Sequence, residues 1–326
     1  MTPFRAPKLT GLIVVLVATM SPGILLSTFG MAAAGSAASL GAIGGGIAIV
    51  STTRRHAAWV SVAMGIAAFL AVSTASVLFV TVGVFVLIGI FVGAMNVKGM
   101  SAAFVFVPIC AGFALTQPSV LTQSAFLNGL FLGLVTLGAS LIPVFLVGLV
   151  AKTLPVRPVP EFSRNVVIGY AVNLALLLGI TSFLTVHYAL NHLGAWLILT
   201  IAVIVQPSLQ ATWTKGIQRA GGTLLGFFIA VGVAGSIPVP GLFALIGNLF
   251  IVLALVGNAQ KRPYWQYAMF LTPGIVLLDG TNESILATAD DRLLATFIGA
   301  LICLVVLMIE RPFYKAAAAK AGAVSY

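Results

Sequence analysis

The chain alternates between long apolar stretches and brief polar interruptions. No Asp, Glu, Lys or Arg occurs between Lys8 and Arg54, between Arg55 and Lys98, or between Lys98 and Lys152. The same holds from Arg164 to Lys215 and from Arg219 to Lys261. A bilayer-crossing helix needs about 20 apolar residues, so each interval has room for two spans and a tight turn. Two shorter runs, from Arg262 to Asp279 and from Arg292 to Glu310, hold one span each. The pattern predicts an all-α polytopic membrane protein with about twelve transmembrane helices. Residues 9–30 are expected to be a retained first span, because the apolar run is too long for a signal-peptide core.

Parity then predicts topology. Each basic cluster from Arg5 to Arg262 is separated from the next by two spans, so all lie on one side. One further span carries the chain to Asp279, Glu283, Asp290 and Asp291 on the opposite side, and a last span returns the tail with Arg311, Lys315 and Lys320. Basic loops stay in the cytoplasm. Both termini are therefore expected there, with an acidic 279–291 loop outside. Every Lys and Arg obeys this scheme except Arg292.

Composition agrees with the pattern. Sixty per cent of residues are hydrophobic and 7% are charged, with a mean hydropathy of +1.17. So few charges cannot cover a soluble surface. The 34 glycines suit helices that approach closely. The net charge of +10 comes from basic residues scattered between apolar runs, not from the clustered patch that nucleic acid requires. Cys110 and Cys303 lie inside apolar runs, where they read as packing residues and not as a disulfide or metal pair.

The two halves of the chain resemble each other. FVGAMNVKGMSAAFVFVPICAG (91–112) aligns with LVGNAQKRPYWQYAMFLTPGIV (255–276) after one insertion, which matches Pro108 with Pro273. Six spans per half predict two parallel six-helix repeats, related by an axis along the membrane normal. The expected division is a first half over 1–151, a cytoplasmic Pro-rich linker at 152–164, and a second half over 165–326.

The most informative stretch is Trp196 to Gly226, WLILTIAVIVQPSLQATWTKGIQRAGGTLLG. It reads as an apolar span, a break at Gln206-Pro207-Ser208, a polar connector with Lys215, and the start of a second span about one turn before Arg219. Arg219, Thr223 and Gly226 share one helix face by their i, i+4, i+7 spacing. The spacing returns at Arg292, Thr296 and Gly299.

These segments resemble the fusaric acid resistance and aromatic acid exporter family. That family carries a W-x-x-L/I-T segment, Q-P-S, a basic helix start and R-x-x-x-T-x-x-G. Here Trp196, Thr200, Gln206, Pro207, Ser208, Lys215, Arg219, Thr223 and Gly226 match the first signature, and Arg292, Thr296 and Gly299 match a second, shorter one. The resemblance implies an efflux permease of the bacterial inner membrane exporting small organic anions such as aromatic acids. The alternative class is a non-transporting scaffold subunit of an envelope complex. Expected partners are membrane lipids, the organic-anion substrate, a periplasmic adaptor protein and further copies of the chain.

Little else in the sequence carries chemistry. There is no Walker A loop, no nucleophile constellation and no metal set: His187 and His192 flank one turn without further ligands. No cofactor and no enzymatic activity are expected. Polar residues within spans are costly and often functional. Lys215 and Arg219 are therefore expected to hold a carboxylate at the cytoplasmic mouth, with Thr223 beside them. Arg292 and Thr296 are expected at an outside helix start, where Asp279, Glu283, Asp290 and Asp291 serve as gate or proton-coupling candidates. Gly226 and Gly299 are expected to allow helix packing. Pro108, Pro207 and Pro273 are expected to break helices.

Overall fold

The computed structural model describes residues 9–98, 100–116, 124–150, 164–237, 241–259, 262–279 and 282–320. Every regular element among them is helical. The order is α1 (Leu9–Thr28), α2 (Ala32–Ser51), α3 (Arg54–Thr74), α4 (Leu78–Ala94), a 3₁₀ turn (Met95–Lys98), α5 (Ser101–Phe104), α6 (Phe106–Thr116) and α7 (Ala125–Val150). It continues with α8 (Arg164–His187), α9 (Asn191–Ile204), α10 (Leu209–Ser236), α11 (Gly241–Ala259), α12 (Tyr264–Asp279) and α13 (Asn282–Lys320).

Five stretches among the described residues are long and apolar enough to cross a bilayer: Arg54–Thr74, Leu78–Lys98, Ala125–Leu146, Arg164–His187 and Leu209–Ser236. The outward side chains of these helices and their neighbours are large and apolar. Phe79 (80% exposed), Leu87, Phe228, Leu245 and Met308 all point away from the protein. Such a surface is stable against lipid and not against water.

The chain forms two compact units, Met1–Ala202 and Val203–Tyr326. The expected linker at 152–164 lies outside the described residues apart from Arg164, which opens α8. In the first unit α7 packs on α2 and α3. Gly65 and Gly133 face each other there so closely that a Cβ on either would come within 2.9 Å of the other's carbonyl oxygen. Close backbone approach of this kind is how helices gain contact where lipid supplies no hydrophobic drive. In the same unit α8 packs on α4, with Gly89 set against the backbone of Ala175. The sequence assigns these two helices to different halves.

In the second unit α10 packs on α12 and α13, and α11 packs on α12. α9 stops at Ile204, as Gln206-Pro207-Ser208 predicts: proline cannot donate to the preceding turn, and Ser208 caps α10 by accepting from the Ala211 N–H at 3.2 Å. Thr212 ties the two ends together. Its hydroxyl accepts from the Gln206 N–H at 2.9 Å and donates to the Ser208 carbonyl at 3.0 Å.

The other two prolines do not form the symmetric pair expected of them. Pro108 sits in the first turn of α6, just after the break at Val105. A missing N–H is harmless in a first turn, whose donors lack helical partners anyway. Pro273 lies inside α12, which runs through it unbroken.

Candidate functional site

The second unit brings Lys215, Arg219 and Arg292 into one electrostatic neighbourhood. Arg219 and Arg292 are each 1% exposed and are the largest fully buried side chains among the described residues. Lys215 lies within electrostatic reach of Arg219, and Arg292 within reach of Arg219, Tyr264 and Tyr267. Buried cations are expensive unless a counter-charge or a full set of hydrogen bonds compensates them.

Helix α12 supplies the polar contacts. The Arg219 Nη1 donates to the Tyr264 hydroxyl at 3.0 Å. The Lys215 ammonium stands over the ring of the same tyrosine, 5.3 Å from its centroid, within cation–π range. Further along α12, Arg292 Nε donates to Thr272 Oγ1 at 3.2 Å, and that hydroxyl donates to the Ala268 carbonyl at 2.9 Å. Tyr264 and Thr272 are about 12 Å apart along the helix at 1.5 Å per residue. The two arginines thus attach to one helix at different heights. Arg219 keeps two donors, Nε and Nη2, with no hydrogen-bond partner among the described residues, and the buried Thr223 hydroxyl beside it has none either.

Both arginines lie deeper than the sequence pattern suggests. Arg219 is about 15 Å along α10 from Leu209, not one turn in, because the helix starts directly after Ser208 and absorbs the supposed connector with Lys215. Arg292 is likewise about 15 Å along α13 from Asn282 and not at a helix start. Residues 282–291, expected in an outside loop, are helical. Charge spacing misplaces this boundary because it takes charges as helix ends, whereas Asp290 and Asp291 are the ninth and tenth residues of α13.

The remaining expected residues fall as follows. Thr296 is buried, and its hydroxyl donates to the Arg292 carbonyl at 2.8 Å, so it serves its own helix. Gly299 is buried on α13. Gly226, on α10, packs against α12, where a Cβ would meet the Met269 carbonyl at 2.6 Å and Pro273 Cδ at 3.0 Å. Asp290 is exposed and Asp291 half-buried. The side chains of Asp279 and Glu283 lie outside the described residues. Tyr264 and Thr272 were not anticipated as site residues. The available signal was the polar aromatic cluster Tyr264-Trp265-Gln266-Tyr267 opening an apolar span.

Two clefts lie elsewhere. One of about 480 Å³ in the first unit is rimmed by Thr116, Thr185, Asn191 and His192. The other, about 250 Å³ and apolar, runs between α10 and α13 past Trp213, Ile217, Phe297 and Leu301.

Long apolar helices with lipid-compatible surfaces define an integral membrane protein. Residues 174–306 match the family described as fusaric acid resistance protein-like, which bears out the resemblance read from Arg219, Thr223, Gly226 and their second copy. Aluminum-activated malate transporter 2 of Arabidopsis thaliana is 27% identical over 171 residues, covering 47% of this chain and 34% of that protein. The chain thus spans about a third of the length of that relative. No solved structure matches the chain.

Proposed function

We propose that the chain is a secondary-active efflux permease that carries small organic anions, aromatic acids among them, across a bacterial inner membrane. The observation that carries this reading is Arg219, a buried guanidinium with two donor nitrogens that find no partner among the described residues, flanked by Lys215 and Arg292. A small carboxylate is the natural complement, because the planar guanidinium fork offers two parallel hydrogen bonds and the neighbouring cations add attraction. Burial raises the strength of each such contact and excludes competing water. The match to a resistance-protein family and the similarity to a malate transporter support the same reading.

In this reading twelve spans form two parallel six-helix halves with both termini in the cytoplasm. Arg219 binds the anion, Lys215 draws it in, and Arg292 holds the next position along α12. Asp290 and Asp291, with Asp279 and Glu283, are the acids available for gating or proton coupling.

Binding tests the reading directly. Full-length protein in detergent is titrated with sodium benzoate and sodium malate at constant ionic strength, and its melting temperature is followed. A saturable rise that disappears in Arg219→Ala is expected. Equal rises in both proteins contradict the assignment.

A further inference from the structure

Arg219 and Arg292 are buried and Lys215 is half-buried, yet one residue stands on both Arg219 and Lys215. We propose that Tyr264 is the gate of the anion site: it occupies Arg219 and Lys215 when the site is empty, and an anion binds by displacing it. This rests on the anion-site reading above.

Three observations converge on Tyr264. Its hydroxyl accepts a hydrogen bond from Arg219 Nη1 at 3.0 Å, the only one found for that guanidinium among the described residues. Its ring lies under the Lys215 ammonium at 5.3 Å. Arg219 is 1% exposed, so no anion reaches it without a movement. Tyr264 is also placed to move. It is the first residue of α12, directly after Pro263, and is itself only half-buried. Its side chain swings about its own χ torsions, which leaves the helical backbone hydrogen bonds intact.

The phenol hydroxyl gives the guanidinium a single acceptor. A carboxylate brings a full negative charge and two acceptor oxygens, and so takes a bidentate pair of charge-assisted bonds. The exchange is therefore favourable when an anion arrives and reversible when it leaves. Without the phenol, the empty site would leave a third Arg219 donor unsatisfied in a buried place, at a cost of the desolvation kind. Tyr264 thus stabilises the unloaded state and sets the affinity threshold for loading.

The test uses Tyr264→Phe, which keeps the ring under Lys215 and removes only the acceptor. Benzoate binding to the full chain in detergent is measured by titration, together with the melting temperature without benzoate. The gate predicts binding roughly tenfold tighter than wild type, as expected when a competing hydrogen bond to a charged group is lost. It also predicts a lower melting temperature for the empty variant that benzoate restores. Tyr264→Leu, which removes the ring as well, is expected to tighten binding too and serves if Tyr264→Phe folds poorly. Unchanged or weaker binding in folded Tyr264 variants, beside wild-type binding that Arg219→Ala abolishes, overturns the gate and leaves the anion site standing. Absence of wild-type binding overturns both.

Discussion

Gly226 lies against the carbonyl that Pro273 leaves without a helical donor. Proline at 273 has no N–H to offer the carbonyl four residues earlier, that of Met269. A Cβ on Gly226 would stand 2.6 Å from that oxygen and 3.0 Å from Pro273 Cδ. The glycine thus lets the α10 backbone cover a carbonyl that would otherwise be bare in an apolar layer. The last position of R-x-x-x-T-x-x-G and the proline of α12 are two halves of one contact.

Gly226→Ala is therefore expected to destabilise the protein by roughly 1–3 kcal/mol, since neither the carbonyl nor the proline ring can yield cheaply. Gly221→Ala is the matched control. Nothing among the described residues lies within 4 Å of a Cβ there, and alanine favours a helix over glycine by about 1 kcal/mol. Melting temperatures of the two purified variants should move in opposite directions or, for Gly221→Ala, not fall. An equal loss in both would contradict the packing account.

The break between α9 and α10 makes a second prediction. Thr212→Val strands the Gln206 N–H and should cost about 1–3 kcal/mol. Thr223→Val removes a hydroxyl that has no hydrogen-bond partner among the described residues and should leave the melting temperature unchanged. On the anion-site reading it weakens benzoate binding all the same. A larger stability loss for Thr223→Val than for Thr212→Val would be the wrong order.

Much of this was legible in the sequence, and the exceptions have physical causes. The stop at Gln206-Pro207-Ser208 is local chemistry: a missing donor followed by a capping hydroxyl. The family signature at Arg219, Thr223 and Gly226 is likewise a matter of helical spacing. The depth of Arg219 and Arg292 was not legible, because counting spans between charges assumes that charges mark helix ends. Here two cations sit inside helices, held by Tyr264 and Thr272 on a third helix. Such partners are distant in sequence and have no periodic signal. The matched pair Pro108 and Pro273 misled for a related reason. Equivalent alignment positions fall at different places in their helices, one in a first turn and one in the interior.

Topology offers a third prediction. In a background with Cys110 and Cys303 replaced by alanine, a cysteine at Gly280 should be labelled by a membrane-impermeant thiol reagent from outside intact cells. Cysteines at Arg157 and Lys320 should be labelled only after the membrane is opened. External labelling at Arg157 would overturn the parity of spans.

The most direct test of the account is transport itself, measured per molecule. Purified wild type, Arg219→Ala, Arg219→Lys and Arg292→Ala are reconstituted into liposomes, and flux of labelled benzoate is divided by the amount of folded protein. The buried arginines predict at least a tenfold fall for Arg219→Ala, the scale of one lost charge-assisted pair. They predict a substantial fall for Arg219→Lys, which keeps the charge but loses the fork, and a fall for Arg292→Ala. Wild-type flux per molecule in both alanine variants would contradict the account and leave the arginines as packing residues alone.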